Sequence, residues 1–226
     1  MHDLTVAAVL LISYLIGSLP FGFIIVKLTT GKDITSVESG RTGGTNAMRA
    51  AGLPAGVATA MLDFLKGAAA VWLSRAFFPG DIWIQLVAPL MAILGHNYSV
   101  FLLRWDRRQG FHFRGGAGGA TCVGGSFGLW PPSLFIIVPM AFLVWYGVGY
   151  ASVTTMAIAF LSILIFAYRA WLGLSPWAYA VYGGIALILL AWSLRPNIKR
   201  LIEGRERLHG WRALKLKHNE NRIPPE

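Results

Sequence analysis

Three stretches of this 226-residue chain carry residue types that bind and transfer charged groups. The first is SGRTGGTNAMRAAG, residues 39–52. Gly40, Gly43 and Gly44 would let successive backbone N–H groups converge, and such a nest beside a helix N-terminus holds an anion. Thr45 and Asn46 can add side-chain hydrogen bonds, and Arg49 can grip a phosphate or carboxylate in bidentate fashion. The spacing is not a Walker A loop, since no G-K-[ST] follows. A plain polar loop with a capping Thr or Asn is the competing reading. The second stretch is the pair Asp63 and Lys66, three residues apart inside an apolar run. Ionisable groups in such a run are costly, so function is the default, with a structural ion pair and a snorkelling lysine as the alternative. The third is GHNYSVFLLRWDRRQGFHFRGGAGGAT, residues 95–121. His96 is either a buried hydrogen-bond partner or a catalytic group. Arg114 before Gly115 and Gly116 forms a second phosphate-binding corner. Together these features point to an anionic, phosphorylated substrate. They do not separate an enzyme from a transporter of phosphorylated solutes.

The composition says where such a substrate is met. Apolar residues make up 55%, charged residues 13%, and mean hydropathy is +0.57. Soluble domains carry roughly twice that charged fraction, so a soluble globular protein is excluded, as is a disordered one. The net charge of +10 is clustered: Lys27, Lys32, Arg41 and Arg49; then Arg104, Arg107, Arg108 and Arg114; then nine residues from Arg195 to Arg222. The aromatic residues near these clusters sit where interfacial belts belong, so the charge faces a membrane rather than nucleic acid. Cys122 is the single cysteine and forms no internal disulfide. The five histidines make no H-x-x-x-H or H-E-x-x-H pattern, so neither a protein-built metal site nor a cofactor is expected. Only Asp3 precedes the first apolar run as a charged side chain, and that run is too long for a signal peptide. It reads as a retained first span.

A helix needs about 20 apolar residues to cross a hydrocarbon core. Segments 4–27, 54–77, 83–103, 151–169 and 176–194 meet or approach this, and 131–148 does so despite Pro139, which predicts a kink. Placing all three basic clusters on one face requires one more crossing, and only the Gly-rich 115–130 has room for it. The expectation is an all-α polytopic protein with seven transmembrane spans, N-terminus outside and C-terminus cytoplasmic. It forms a single membrane-embedded domain over 1–226 with a basic tail at 195–226. Within the tail, IKRLIEGRERLHGWRAL suits a short interfacial helix.

The order GSLPFG (17–22), SGRTGGTNAMRAAG (39–52), LDFLKG (62–67), GHNYSVF (95–101), FRGGAGGAT (113–121) and RPNIKRLIEGRE (195–206) resembles the bacterial acyl-phosphate-dependent glycerol-3-phosphate acyltransferases. The resemblance covers nearly the whole chain. It implies a seven-span membrane enzyme at the head of phospholipid synthesis, moving an acyl group from acyl phosphate to the 1-hydroxyl of sn-glycerol 3-phosphate, with the active site facing the cytoplasm. The lipid bilayer and these two substrates would be its partners, with an acyl-phosphate-forming enzyme as a further one. It implies a first phosphate-binding motif of Ser39, Gly40, Gly43, Thr45, Asn46 and Arg49, and a basic partner Lys66 for Asp63. His96, Asp63 and Ser152 become the catalytic set, and Asn197, Arg200, Gly204 and Glu206 match the family's closing signature. Acyl phosphate is already activated, so positioning and electrostatics carry the chemistry. The base is His96 or the substrate's own phosphate, while Asp63 orients or pairs with Lys66. This sequence departs from the family pattern at Arg41, where an Asn is usual, at Gly44, where Ala is common, and at His112. Its second motif has Arg114 and Ala117 in place of two phosphate-binding lysines. Arg41, Arg107 and Arg108 are the candidates to replace the charge lost at Ala117. A paralog that is inactive or acts on another phosphorylated alcohol therefore stays open.

Overall fold

A computed structural model describes residues 1–106, 110–213 and 215. Arg107 and Arg108 therefore lie outside the described residues, as does the tail beyond 215. Apart from one hairpin, the regular structure among the described residues is helical. Helix α1 (His2–Ser18) breaks at Leu19–Pro20 and resumes as α2 (Phe21–Thr30), which ends at a left-handed Gly31. A short 3-10 turn (Ile34–Ser36) leads to α3 (Gly44–Ala51) and the long α4 (Leu53–Phe77). Asp81 then caps α5 (Ile82–Asn97) by accepting from the backbone N–H groups of Trp83 at 2.9 Å and Ile84 at 3.0 Å. Strands β1 (Ser99–Asp106) and β2 (Gly110–Arg114) pair antiparallel, and α6 (Gly119–Leu129) follows. After a second 3-10 turn (Pro131–Ser133) come α7 (Leu134–Gly147), α8 (Ala151–Trp171), α9 (Ala178–Ser193) and α10 (Arg195–Ile202).

The seven-span expectation does not hold. Among the described residues, three helices are long and apolar enough to cross a membrane: His2–Thr30, Leu53–Phe77 and Ala151–Trp171. A fourth qualifies only if Ala178–Ser193 and Arg195–Ile202, bent by 69° at their junction, count as one span. Helix α5 stops at Asn97, because Ser99–Asp106 extend into a strand instead of completing the span read at 83–103. The Gly-rich 115–130 yields an 11-residue helix. At 1.5 Å per residue that reaches about half of the hydrocarbon thickness. The parity that set the N-terminus outside and the C-terminus in the cytoplasm no longer follows. The basic clusters nevertheless do gather. Arg104 pairs with Asp33 at 2.7 Å, Arg114 donates to the Thr35 carbonyl at 3.2 Å, and Arg41 donates to Asn197 at 3.2 Å.

The packing is that of a protein solvated by lipid. Leu11, Trp72, Phe135, Phe142 and Ile188 are exposed, whereas Ser13, Thr59, Asp63, Lys66, Ser126 and Ser162 are buried. Val71, Leu86, Ile93, Phe166, Tyr182 and Leu190 form the centre of one apolar core. Helices α4 and α6 approach closely at Gly67 and Gly124, where a β-carbon would strike the backbone of Thr121 and Phe64 respectively. Small residues at such contacts provide the van der Waals packing that replaces hydrophobic drive in a bilayer. Around the α6 C-terminus, Arg75 donates to the carbonyls of Gly128 at 2.7 Å and Leu129 at 2.9 Å, capping groups the helix leaves unpaired.

Candidate active site

The break between α1 and α2 sets the first part of the site. A carbonyl freed next to a proline needs a partner in an apolar environment. The Leu19 carbonyl accepts from the Phe21 N–H at 3.1 Å, and Lys66 adds a second bond to the same oxygen at 3.1 Å. Its ammonium also lies 2.8 Å from Asp63 Oδ1, one helical turn earlier on α4. Asp63 Oδ1 in turn faces His96 Nδ1 at 3.5 Å, bridging α4 to the end of α5. Both side chains of the ion pair are 2% exposed, so each charge depends on the other for compensation. With Nδ1 turned to the carboxylate, Nε2 is the ring nitrogen on the edge nearest Gly116. Gly116 lies against the ring so closely that a β-carbon there would collide with it.

Two backbone contacts tie the second Gly-rich motif to the first and to the end of α5. Thr42 donates its N–H to the Gly115 carbonyl at 3.2 Å, and Gly116 donates to the His96 carbonyl at 2.9 Å. Arg41 fastens them to the α9–α10 junction. Its Nε donates to Asn197 Oδ1 at 3.2 Å, Nη1 to the Gly116 carbonyl and Ser193 Oγ at 3.0 Å each, and Nη2 to the Ser193 carbonyl at 2.5 Å. Burial pulls the Arg41 guanidinium down to about 10, with Arg200 adding to the shift, so it stays charged at neutral pH. Four of its five N–H groups are committed to protein acceptors. Asn197 continues the chain by donating to Glu206 Oε1 at 3.2 Å, and Ser152 donates to Glu206 Oε2 at 2.6 Å.

These groups surround a cavity of about 430 Å³ whose lining includes Ser39, Arg49, Asp63, His96, Ser152 and Asn197. Gly43, Gly44 and Thr45, at the start of α3, also line it, bringing the positive end of that helix to the cavity. A second cavity of about 860 Å³ lies beyond a shared wall of Glu38, Ser39 and Arg41. Gly40, Arg114, Gly115, Arg195 and Lys199 line that one.

The sequence model of the family described as glycerol-3-phosphate acyltransferase matches residues 7–204. The chain belongs to the glycerol-3-phosphate acyltransferase family. It is 39% identical over 204 residues to a glycerol-3-phosphate acyltransferase of Thermus thermophilus, covering 90% of this chain and 95% of that protein. It is 35% identical to glycerol-3-phosphate acyltransferase 2 of Moorella thermoacetica, covering 90% and 97% of the two chains. The fold matches the crystal structure of an integral membrane glycerol 3-phosphate acyltransferase in its glycerol 3-phosphate form, with a TM-score of 0.76 and 31% identity over 91% of this chain and 96% of that one. The lysophosphatidic acid form of that enzyme matches with a TM-score of 0.72 and 31% identity, covering 93% of this chain and 97% of that one. The chain is thus a multi-pass membrane protein of an acyltransferase family.

Within the family framework, the residues singled out from sequence divide into three groups. Ser39, Arg41, Gly43, Thr45, Asn46, Arg49, Asp63, His96, Ser152 and Asn197 meet around the smaller cavity. Gly40, Arg114 and Gly115 face the larger one. Lys66 lines neither cavity, being spent on Asp63 and the Leu19 carbonyl, and Gly116 serves as the floor beneath His96. Asn46 uses its amide to donate to the carbonyls of Arg41 at 2.8 Å and Val37 at 3.0 Å, thereby shaping the loop. Sequence reasoning left Glu38, Thr154, Thr155, Arg207 and His209 unassigned, although all line the smaller cavity. The adjacency of Thr154 and Thr155 to Ser152 was the available signal. For the tail residues there was only a charge run, which a stop-transfer sequence explains equally well.

Proposed function

We propose that this chain transfers a fatty acyl group from acyl phosphate to the 1-hydroxyl of sn-glycerol 3-phosphate, releasing lysophosphatidate and phosphate. The observation carrying this reading is the single cavity at which Arg49, the start of α3, His96 and Ser152 converge in a member of the glycerol-3-phosphate acyltransferase family. Arg49 binds the substrate phosphate with the α3 N-terminus, Ser39, Gly43, Thr45 and Asn46 around it. His96, oriented by Asp63, holds the attacking hydroxyl, and the substrate's own phosphate takes the proton. Ser152 donates to Glu206, so its oxygen presents lone pairs to the cavity and accepts from a substrate hydroxyl. Asn197 and Arg41 hold this wall in place, while Arg114, Gly115 and Gly40 build the neighbouring phosphate-binding corner. Holding hydroxyl and mixed anhydride together supplies most of the rate, because the leaving group is already activated.

The unit is one membrane-embedded domain over 1–226 whose active site opens to the cytoplasm. The gathering of Arg41, Arg49, Arg114, Arg195 and Lys199, one or more from each basic cluster, around the site supports this orientation through the positive-inside rule. Acyl phosphate is a labile anhydride, so an enzyme that forms it supplies the substrate at the same membrane face. The decisive assay incubates purified protein with acyl phosphate and labelled glycerol 3-phosphate, using acyl-CoA and an acyl carrier protein thioester as comparison donors. Absence of lysophosphatidate at saturating acyl phosphate refutes the reading. Orientation is tested by placing Cys at position 195 and labelling vesicles of known sidedness with an impermeant maleimide. Cys122 is fully buried and gives little background.

A further inference from the structure

The chain beyond residue 204, where the matched family region ends, closes one wall of the active cavity. It turns at Gly204 and is tied down along its length. Arg207 pairs with Glu38, the His209 backbone donates to the Gly149 carbonyl at 2.7 Å, and Arg212 donates to the Val148 carbonyl at 3.1 Å. Gly210 has φ +61°, and a β-carbon there would run into the Tyr146 backbone. The His209 ring packs near-parallel to Trp145, centroids 6.0 Å apart and 29° between planes. At the end of this strap, His209 Nε2 lies 2.6 Å from Arg49 Nη2. An arginine can only donate, so the imidazole nitrogen must be the acceptor and the ring must be neutral.

We infer that His209 is a positioning residue for substrate binding: it holds one edge of the Arg49 guanidinium so that the remaining four N–H groups present a fixed fork to the substrate phosphate. The inference rests on the proposed role of Arg49 as phosphate ligand. A long arginine side chain loses much rotamer freedom when it grips an anion, and prior anchoring removes part of that cost. The charged groups around His209 are Arg49 from α3, Glu38 from the preceding loop, and Glu206 and Arg207 from the strap itself, while α7 offers Trp145 and α8 offers Ser152. Burial, reinforced by Arg49 and Arg207 against the opposing pull of Glu206, holds the His209 imidazole below its usual range. Protonation at acid pH destroys the acceptor and sets a cation against Arg49.

The test is steady-state kinetics of the full-length enzyme across pH. His209→Ala should raise KM for glycerol 3-phosphate about tenfold, the scale of one hydrogen bond to a charged group, with a smaller change in kcat. His209→Gln keeps an acceptor that cannot titrate and should recover most of that loss. Glycerol 3-phosphate titrates identically with every variant. Wild type should therefore show an added rise in KM at acid pH, below the usual imidazole range, that His209→Gln lacks. Unchanged KM in His209→Ala, or identical acid limbs in wild type and His209→Gln, overturns the inference. Arg49→Ala separates the two levels. If it raises KM while His209→Ala does not, only the positioning role falls. If Arg49→Ala leaves KM unchanged, the phosphate assignment falls and the inference with it.

Discussion

Replacing Lys66 by Met should destabilise the protein severely even though Lys66 touches neither cavity. The ammonium lies 2.8 Å from a carboxylate that is itself 2% exposed, so its removal leaves Asp63 as an uncompensated charge among apolar side chains. Breaking a buried pair from one side costs about 3–5 kcal/mol. Loss of the bond to the Leu19 carbonyl, which keeps its partner in the Phe21 N–H, adds at most about 1 kcal/mol. For a chain of this size each kcal/mol moves Tm by roughly 2–4 °C, so the expected fall is on the order of 10 °C. The assay is thermal unfolding in detergent followed by the fluorescence of the nine tryptophans. The double variant Asp63→Asn with Lys66→Met removes both charges, and should regain about half of the lost stability while remaining below wild type. If the double variant is no more stable than Lys66→Met alone, or if Lys66→Met costs less than about 1 kcal/mol, then Asp63 is not ionised in the folded protein. The charge-compensation account of this site would then be wrong.

Three further outcomes are expected. Gly116→Ala should abolish activity and cost about 1–3 kcal/mol by overpacking, since its methyl group meets the His96 ring; normal kcat would show that His96 need not hold its present position. Ala117→Lys adds a cation to the lining of the smaller cavity and should lower KM for glycerol 3-phosphate several-fold, with stronger salt dependence, whereas a raised KM would show that Arg41 already fills that space. Asp33 accepts from Thr35 Oγ1 at 2.6 Å and from Arg104 at 2.7 Å, and although burial opposes the shift, these bonds hold its carboxyl at about 2. A depressed carboxyl contributes stability above its unfolded value near 3.8 and loses it as pH falls towards 2, so exchange protection of the β1–β2 hairpin should fade across that window in wild type but not in Asp33→Asn.

The amino-acid sequence by itself determined the solvent of this protein, its chemical vocabulary and its family. A lipid-facing exterior needs little charge, and phosphate chemistry needs glycines, arginines and hydroxyls at short spacing. Both are local compositional facts, so they were legible without coordinates. Asp63, Lys66 and His96 were recognisable because ionisable residues are rare in apolar runs. How many runs cross the membrane was not legible in the same way. Hydropathy does not register where a helix stops, and α5 ends at Asn97 because the following apolar residues pair as a strand. Nor does it show that the Gly-rich segment forms a short helix buried against α4. Tertiary structure alone decided which cation faces substrate. Lys66 and Arg41 look like phosphate ligands in sequence, yet the Leu19 carbonyl, Asp63, Asn197 and Ser193 consume most of their donors. His209, read as part of a basic tail, reaches Arg49 across 160 residues of chain. A side chain's donors are finite, and only the folded chain shows which acceptors claim them first.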